Sequence, residues 1–244
     1  MDLKGKVALV TGSAVRIGRA IVLGLAERGV HVIIHYRHSQ QEAKKLVKEI
    51  ERSGGSAQCI QCDLSNSQQI KRMAKQAIAA SGRVDILVNN ASEFFKTPLQ
   101  SVTTAQWDRL LDVNLKAPFL LSRFLGLHML KRGTGKIINI ADISAFRPWS
   151  EYIPYCVSKS GMVTLTQGLA KALAPKVQVN AIAPGTILPP ITGWTWRGRQ
   201  QTLQANPLKK IGSPLDIVRT VLFLINSDYI TGTVIPVDGG RLMS

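Results

Sequence analysis

The chain has 244 residues and a formal net charge of +16 at pH 7, from 31 Lys and Arg against 15 Asp and Glu. This length suffices for one large α/β domain, and the hydrophobic content of 45% is normal for a globular protein. No apolar run approaches the roughly 20 residues of a membrane span. The first six residues also lack the apolar core of a signal peptide. We therefore expect a cytoplasmic protein with no membrane partner.

The positive charge favours anionic ligands: nucleic acids, phosphorylated cofactors, acidic carrier proteins or folates with acidic tails. The basic residues are scattered along the chain, without the block typical of a nucleic-acid-binding tail. We therefore expect no nucleic-acid partner.

Three cysteines are present, of which Cys59 and Cys62 form a C-x2-C pair. The third cysteine, Cys156, is isolated, so no second Cys pair exists in the sequence to complete a four-cysteine zinc site. The sequence therefore predicts no metal.

Apolar runs alternate with segments of helical periodicity along the whole chain. In chain order, the sequence predicts strands at 6–11, 30–36, 57–62, 84–89, 136–141, 177–182 and 234–237, and helices at 19–28, 41–53, 67–80, 107–132 and 155–173. This order predicts an α/β fold with a doubly wound, Rossmann-type parallel sheet of about seven strands, covered by helices on both faces. No linker or repeat interrupts it, so we expect a single domain over 1–244.

One long segment, 185–214, departs from this regularity and contains Pro189-Pro190, Trp194 and a basic run from Trp196 to Arg199. It follows the carboxyl end of a predicted strand, where α/β sheets bind ligands. We therefore interpret it as a substrate-binding loop or lid.

The turn after the first strand contains Gly12, Arg16, Ile17 and Gly18. A glycine-rich turn that follows a strand and opens a helix is typical of a pyrophosphate site, because backbone N–H groups and the helix N-terminus supply a positive field. Arg16 stands where a three-glycine version has its middle glycine. Its guanidinium is therefore a candidate to contact both a phosphate and a substrate oxygen.

The residues after the second strand indicate the choice of cofactor. NAD enzymes place an acidic residue there to bind the ribose 2′-hydroxyl, but the sequence reads His35-Tyr36-Arg37-His38-Ser39, with no acidic residue before Glu42. Basic and hydroxyl side chains suit a 2′-phosphate instead. The sequence therefore predicts NADPH, without deciding which of Arg37 and His38 contacts the phosphate.

Polar residues follow the next two strands. Asp63 is a candidate acceptor for an adenine amino group, although a helix-capping role is an open alternative. Asn90 and Ala91 follow the fourth strand, where small and amide side chains would line an adenosine. Asn114 lies within a predicted helix, where an amide is unfavourable by propensity, which suggests a specific role.

Taken together, these motifs resemble the short-chain dehydrogenase/reductase family. The motifs are Thr11-Gly12-x3-Arg16-x-Gly18, Asn89-Asn90-Ala91-Ser92, Asn114, Tyr155-x3-Lys159, Pro184-Gly185 and Val237-Asp238-Gly239-Gly240. Within the family the chain resembles pteridine reductases, through Arg16, the His35–Ser39 stretch, Phe94 after the Asn-Asn-Ala-Ser motif, and Asp142 thirteen residues before Tyr155.

The resemblance implies a homotetramer and assigns roles to three sets of residues. The catalytic set is Asn114, Asp142, Tyr155 and Lys159. The NADPH-binding set is Gly12, Arg16, Ile17, Gly18, His35, Tyr36, Arg37, His38, Ser39, Asp63, Leu64, Asn90, Ala91, Ser92, Tyr155, Lys159, Pro184 and Gly185. The set that binds a pterin or folate substrate is Arg16, Ser92, Phe94, Asp142 and Tyr155. Phe94 would stack the flat pterin against the nicotinamide.

The identity of residue 142 bears on the reaction. A ketone reductase places a serine there, which donates a hydrogen bond to an oxygen that becomes negative. A carboxylate such as Asp142 would repel that oxygen, but it can accept N–H bonds from a nitrogen heterocycle. Its charge also opposes ionisation of Tyr155, whereas Lys159 favours it. We therefore expect NADPH-dependent reduction of a pterin C=N bond, with Tyr155 as the proton donor.

Two alternatives remain open. A 3-oxoacyl-(acyl carrier protein) reductase of the same fold would use the basic surface to bind an acidic carrier, but Asp142 argues against it. A non-catalytic NADPH-binding or sensing protein would have no need of the intact Tyr155, Lys159 and Asn114.

Overall fold

Seven apolar segments form one parallel sheet in the computed structural model, which describes residues 1–189, 193 and 195–244. The strands are β1 (Val7–Val10), β2 (His31–Tyr36), β3 (Ser56–Gln61), β4 (Ile86–Asn89), β5 (Gly135–Ile140), β6 (Val177–Pro184) and β7 (Val234–Val237). The predicted strands are confirmed, and their ends differ from the predicted ones by at most two residues.

Helices cover both faces of the sheet. They are α1 (Arg16–Ala26), α2 (Gln40–Arg52), α3 (Ser67–Ser81), α4 (Thr104–Leu111), α5 (Ala117–Arg132), α6 (Ile153–Leu173), α7 (Trp196–Ala205) and α8 (Pro214–Asn226). Alternate side chains of each strand enter opposite cores. In β1, Ala8 and Val10 pack with α1, α2 and α8, whereas Val7 and Leu9 pack with α3, α5 and α6. The predicted doubly wound architecture is therefore confirmed.

The strand order is β3-β2-β1-β4-β5-β6-β7. The chain winds outward from β1 to β3 and then returns to β4 on the other side of β1. This reversal opens a crevice between the carboxyl ends of β1 and β4, which is where sheets of this kind bind ligands.

The single helix predicted over 107–132 is interrupted by a π-helical turn at Asp112–Lys116. Pro118 has no N–H group and cannot donate to the carbonyl of Asn114 four residues earlier. The Ala117 N–H bonds instead to the carbonyl five residues earlier. The proline therefore explains why the helix widens at the buried Asn114.

Two helices were missed by the sequence pattern. The predicted loop 185–214 contains α7, whose N-terminal cap is the Thr195 hydroxyl. Pro190 and Trp194 of that loop lie outside the described residues. The helix after the loop, α8, starts with a reciprocal capping box between Ser213 and Asp216, a signal that the sequence does contain.

Within the part of the chain that the structure describes, no helix is both long and apolar enough to cross a membrane.

Candidate active site

The loops after β1 and β4 are tied together at the crevice. The Thr11 hydroxyl accepts the backbone N–H groups of Asn90 (2.9 Å) and Ala91 (3.0 Å). In return, the Asn90 side-chain amide donates to the carbonyls of Thr11 (2.8 Å) and Gly12 (3.0 Å). Asn90 therefore holds the glycine turn through backbone atoms, in the place where the sequence predicts a cofactor.

Two glycines of the turn are required by close packing. Gly12 has φ of 59°, and a Cβ there would lie 2.8 Å from the Cα of Ala91. A Cβ on Gly18 would overlap the carbonyl oxygen of Gly12 and lie 2.6 Å from the Asn90 amide nitrogen. Any side chain at either position would deform the turn.

Arg16 begins α1 with φ of 55°, in the left-handed region that favours glycine. This explains why the related motif has a glycine here. The guanidinium donates a 2.9 Å hydrogen bond to the carbonyl of Pro189, and so links the turn to the loop that follows β6.

The His35 side chain is hydrogen-bonded to the glycine turn. Its Nδ1 accepts the Gly12 N–H (2.9 Å), which makes Nε2 the protonated nitrogen, and this atom lies 3.1 Å from the Cys62 carbonyl. Burial lowers the pKa of His35 to about 4, although the Cys62 carbonyl and the charge of Asp63 act in the opposite direction. Both ring nitrogens are therefore used within the protein, and His35 orders the turn as a neutral ring.

The turn opens onto a cleft of about 350 Å³ at the β1/β4 crevice. Eleven predicted cofactor-binding residues line it: Gly12, Arg16, Ile17, Gly18, His35, Arg37, Asp63, Leu64, Asn90, Ala91 and Ser92. Five further lining residues were not predicted: Val15, Cys62, Glu93, Arg109 and Val113.

Several predicted cofactor-binding residues lie outside this lining. Tyr36 is buried in the core, His38 is exposed, and Ser39 precedes α2 without capping it through its side chain. Pro184 ends β6, and Gly185 lies against Asp238, whose Cα would be 2.8 Å from a Cβ at that position.

Four charged side chains meet at one end of the cleft. Arg37 lies 2.8 Å from Glu93 and 3.3 Å from Asp63. Arg109 forms a bidentate pair with Glu93 and lies 3.3 Å from Asp63. Asp63 also accepts the backbone N–H and hydroxyl of Ser65, both at 2.9 Å. It does not cap α3, because the N-terminal cap of that helix is the Asn66 side chain.

Asn114 braces the loop that follows β4. Its side-chain oxygen accepts the Glu93 N–H (2.8 Å) and the Ser92 hydroxyl (3.2 Å), and its amide donates to the Glu93 carbonyl (2.9 Å) and the Ser158 hydroxyl (3.3 Å). Ser158 in turn donates to the Tyr155 carbonyl at 2.6 Å. The amide therefore connects the cleft loop to the helix that carries Tyr155.

Tyr155, Asp142 and Lys159 meet beside this loop. The Tyr155 hydroxyl donates a 3.0 Å hydrogen bond to Asp142 Oδ2, while Oδ1 accepts the Ser144 N–H at 2.7 Å. Lys159 is 2% exposed, donates to the Ile140 carbonyl at 2.9 Å, and lies 5.6 Å from the centre of the Tyr155 ring. The sheet and α6 thus bring together the trio that the sequence singles out.

Burial dominates the ionisation of these three groups. It raises the pKa of Asp142, despite the Ser144 N–H and the positive Lys159, which act in the opposite direction. Burial and the adjacent Asp142 charge raise the pKa of Tyr155 well above its usual value. Burial lowers the pKa of Lys159 to about 8. Near neutral pH the tyrosine is therefore protonated and available as a hydrogen-bond and proton donor.

Aromatic rings cover the outer side of the trio. Phe94 is 54% exposed and stacks on Tyr152, with ring centres 4.6 Å apart and an interplanar angle of 2°. Its ring is edge-on to Tyr155 at 4.8 Å and to Trp149 at 6.2 Å. Tyr152 and Trp149 were missed by the sequence analysis, because their ring contacts depend on the fold rather than on a motif.

A family model described as short chain dehydrogenase matches residues 6–199. The chain is 36% identical over 242 residues to 3-oxoacyl-[acyl-carrier-protein] reductase FabG of Staphylococcus epidermidis, covering 98% of this chain and 99% of that protein. This protein therefore belongs to the short-chain dehydrogenase family and is an oxidoreductase.

Two solved structures are also similar. FolM Alternative dihydrofolate reductase 1 from Brucella canis, complexed with NADP, has a TM-score of 0.94 and 34% identity, covering 100% of this chain and 96% of that one. A blue fluorescent protein from a metagenomic library, in complex with NADPH, has a TM-score of 0.92 and 34% identity, with 99% of each chain covered.

Proposed function

We propose that this protein is an NADPH-dependent reductase of a pterin, such as a dihydropterin or dihydrofolate, which it converts to the tetrahydro form. The observation that carries the proposal is the half-buried Asp142 carboxylate, hydrogen-bonded at 3.0 Å to the Tyr155 hydroxyl. A carboxylate accepts hydrogen bonds and repels a developing oxyanion. Its position therefore suits a ring nitrogen or amino group better than a ketone oxygen.

NADPH is supported by the chemistry of the cleft. The glycine turn and the start of α1 supply backbone N–H groups for a pyrophosphate, and Arg37 lines the cleft where NAD enzymes have an acidic residue. Two similar structures contain NADP or NADPH. Bound NADPH supplies the hydride.

The remaining chemistry belongs to side chains of this protein. Tyr155 holds the proton for the substrate ring nitrogen, and the adjacent Asp142 keeps that hydroxyl protonated until transfer. Lys159, when charged, favours the transfer because it stabilises the phenolate that remains. Asp142 has acceptor sites beyond those used by Tyr155 and Ser144, so it can also accept an N–H of the substrate.

The substrate side of the proposal rests on Phe94, Ser92 and Arg16. Phe94 is exposed and lies edge-on to Tyr155, so its ring is available beside the proposed proton donor to contact a flat heterocycle. Ser92 and Arg16 line the cleft. The Arg16 guanidinium has donors beyond the one that Pro189 accepts, and the Ser92 hydroxyl, which donates to Asn114, can accept a hydrogen bond. The homotetramer and the cytoplasmic location stay predictions.

A second candidate is 3-oxoacyl-(acyl carrier protein) reduction. It is favoured by the 36% identity to the FabG protein and by the net charge of +16, which would attract an acidic carrier. It requires Tyr155 to donate to a ketone oxygen while a carboxylate lies 3.0 Å away.

The test compares NADPH oxidation with dihydrobiopterin, dihydrofolate and acetoacetyl thioester. Wild type is measured beside Asp142→Ser, with Asp108→Ser, an exposed aspartate of α4, as the matched control. We expect pterin turnover that falls at least about 100-fold in Asp142→Ser, the scale of a lost acid–base group, and is unchanged in Asp108→Ser. Turnover of the thioester alone would assign the ketone reductase. NADPH binding without turnover of any substrate would favour the non-catalytic alternative.

A further inference from the structure

An ion pair crosses the cleft between two strands that are not neighbours. Arg37 follows β2 and Glu93 follows β4, and in the sheet β1 lies between these strands. Their 2.8 Å contact therefore spans the carboxyl end of β1, where the glycine turn begins. Both side chains line the cleft.

Glu93 is also shared with a second arginine. Arg109 donates to Glu93 through two nitrogens, one of them Nε at 2.8 Å from Oε2. Asp63, the other acid of the cluster, is fixed by two 2.9 Å hydrogen bonds from Ser65. The Glu93 carboxylate is held only by the guanidinium groups of Arg37 and Arg109 among its contacts in the described residues, and so it can respond to a ligand that binds either of them.

A phosphate and a carboxylate bind a guanidinium through the same donors. A dianionic phosphate that approaches Arg37 therefore competes with Glu93. We propose that Glu93 is a specificity-determining residue that competes with the 2′-phosphate of the nucleotide for Arg37, and that Arg109 weakens this competition by sharing Glu93. This inference rests on NADPH as the proposed cofactor.

The two partners of the Glu93–Arg109 pair should consequently have opposite effects. Loss of the Glu93 charge frees Arg37 and tightens binding of the 2′-phosphate. Loss of Arg109 leaves Arg37 as the only arginine paired with Glu93 and therefore weakens binding of the 2′-phosphate. If the ion pair had a purely structural role, loss of either partner would change binding of the 2′-phosphate in the same direction.

The experiment measures binding by calorimetry and needs no turnover. Adenosine 2′,5′-bisphosphate and adenosine 5′-monophosphate differ only in the 2′-phosphate, so the ratio of their Kd values reports the contribution of that group. We expect the preference for the bisphosphate to rise about three- to fivefold in Glu93→Gln and to fall by a similar factor in Arg109→Gln, the scale of partly exposed charge pairs. In the double variant, Arg109→Gln should add nothing to the effect of Glu93→Gln.

The matched control is Glu49→Gln, which removes a carboxylate from the Arg19–Glu49 pair (2.6 Å) outside the cleft and should leave the preference within twofold of wild type. An unchanged monophosphate affinity shows that each variant retains the folded cleft. If wild type prefers the bisphosphate but Glu93→Gln does not raise that preference, this inference is overturned and the assignment of NADPH is not. The inference would also be overturned if Arg109→Gln lowered the preference for the bisphosphate by the same factor in wild type and in Glu93→Gln. Arg109 would then bind the 2′-phosphate directly. A wild type with no preference would instead overturn the assignment of NADPH.

Discussion

The Tyr155 hydroxyl donates its hydrogen bond to the Asp142 carboxylate, in a site where Tyr155 is buried and Asp142 is half-buried. A hydroxyl that donates to an anion is protonated, and burial raises the pKa of both groups. The pair therefore favours proton donation by Tyr155 over proton abstraction. This direction agrees with the proposed reduction.

Lys159 should make the reaction sensitive to alkaline pH. Because burial lowers its pKa to about 8, the ammonium form is lost as the pH rises through that value. We expect kcat/KM for the pterin to be level below pH 8 and to fall by about tenfold per pH unit above it.

The control for this pH profile is Lys159→Arg, which keeps the positive charge, since a guanidinium does not titrate in this range. Its activity should be lower because the geometry differs, but the alkaline decline should disappear up to pH 10. A decline that persists in Lys159→Arg would assign the titration to another group.

Phe94 should determine the affinity for the substrate and not for the cofactor. Replacing it with leucine keeps an apolar side chain but removes the ring that lies edge-on to Tyr155 and stacks on Tyr152. We expect KM for the pterin to rise about three- to tenfold, the scale of one lost aromatic stack, with KM for NADPH unchanged. Phe223→Leu, at a similarly exposed phenylalanine of α8, is the control. Equal changes in both KM values would contradict a substrate-stacking role.

The strands and the grouping of Asp142, Tyr155 and Lys159 could be predicted from the sequence because their signals are local. Each strand is an apolar run, and Asp142, Tyr155 and Lys159 have a recognisable spacing. The cluster around Glu93 could not be predicted, since its contacts to Arg37 and Arg109 join residues 56 and 16 positions apart in the chain. Only the fold decides which arginines reach that carboxylate.

Two of the missed features of the helical segments, the start of α8 and the widened turn at Asn114, differ in kind. The start of α8 carries a capping box at Ser213 and Asp216, so a closer search for caps would have found it. The widened turn at Asn114 depends on Pro118, a residue compatible with the first turn of a new helix. Pro118 affects the Asn114 carbonyl only because the helix continues from Asp112–Lys116 into α5, and this continuity is evident only in the structure.

The two glycines Gly18 and Gly168 form a matched pair for testing the phosphate turn. A methyl group on Gly18 would overlap the Gly12 carbonyl, whereas one on Gly168, within α6, has no atom within 4 Å. We expect Gly18→Ala to reduce NADPH affinity at least tenfold. Gly168→Ala should leave affinity unchanged and stabilise the protein by roughly 0.5–1 kcal/mol, because alanine is the better helix former. Calorimetry and urea unfolding measure the two quantities, and normal NADPH binding by Gly18→Ala would contradict the assigned turn.

His35 should make the glycine turn a source of acid sensitivity. Its folded pKa of about 4 lies below the usual value of 6.5, because burial disfavours the charged ring. The neutral ring accepts the Gly12 N–H. A group whose pKa is depressed by folding stabilises the protein fully above its unfolded pKa. That contribution is lost as the pH falls from 6.5 towards 4, and its full size is on the order of 3 kcal/mol.

We expect His35→Gln, which cannot titrate, to lack this part of the pH dependence. Urea unfolding of wild type at pH 7 and pH 4 should show a loss of free energy of unfolding about 2–3 kcal/mol larger than that of His35→Gln. The carboxylates titrate in both proteins and cancel in the comparison. His38→Gln, at an exposed residue outside the turn, serves as the control and should follow wild type. If His35→Gln loses as much stability as wild type between these pH values, a neutral His35 is not what holds the turn.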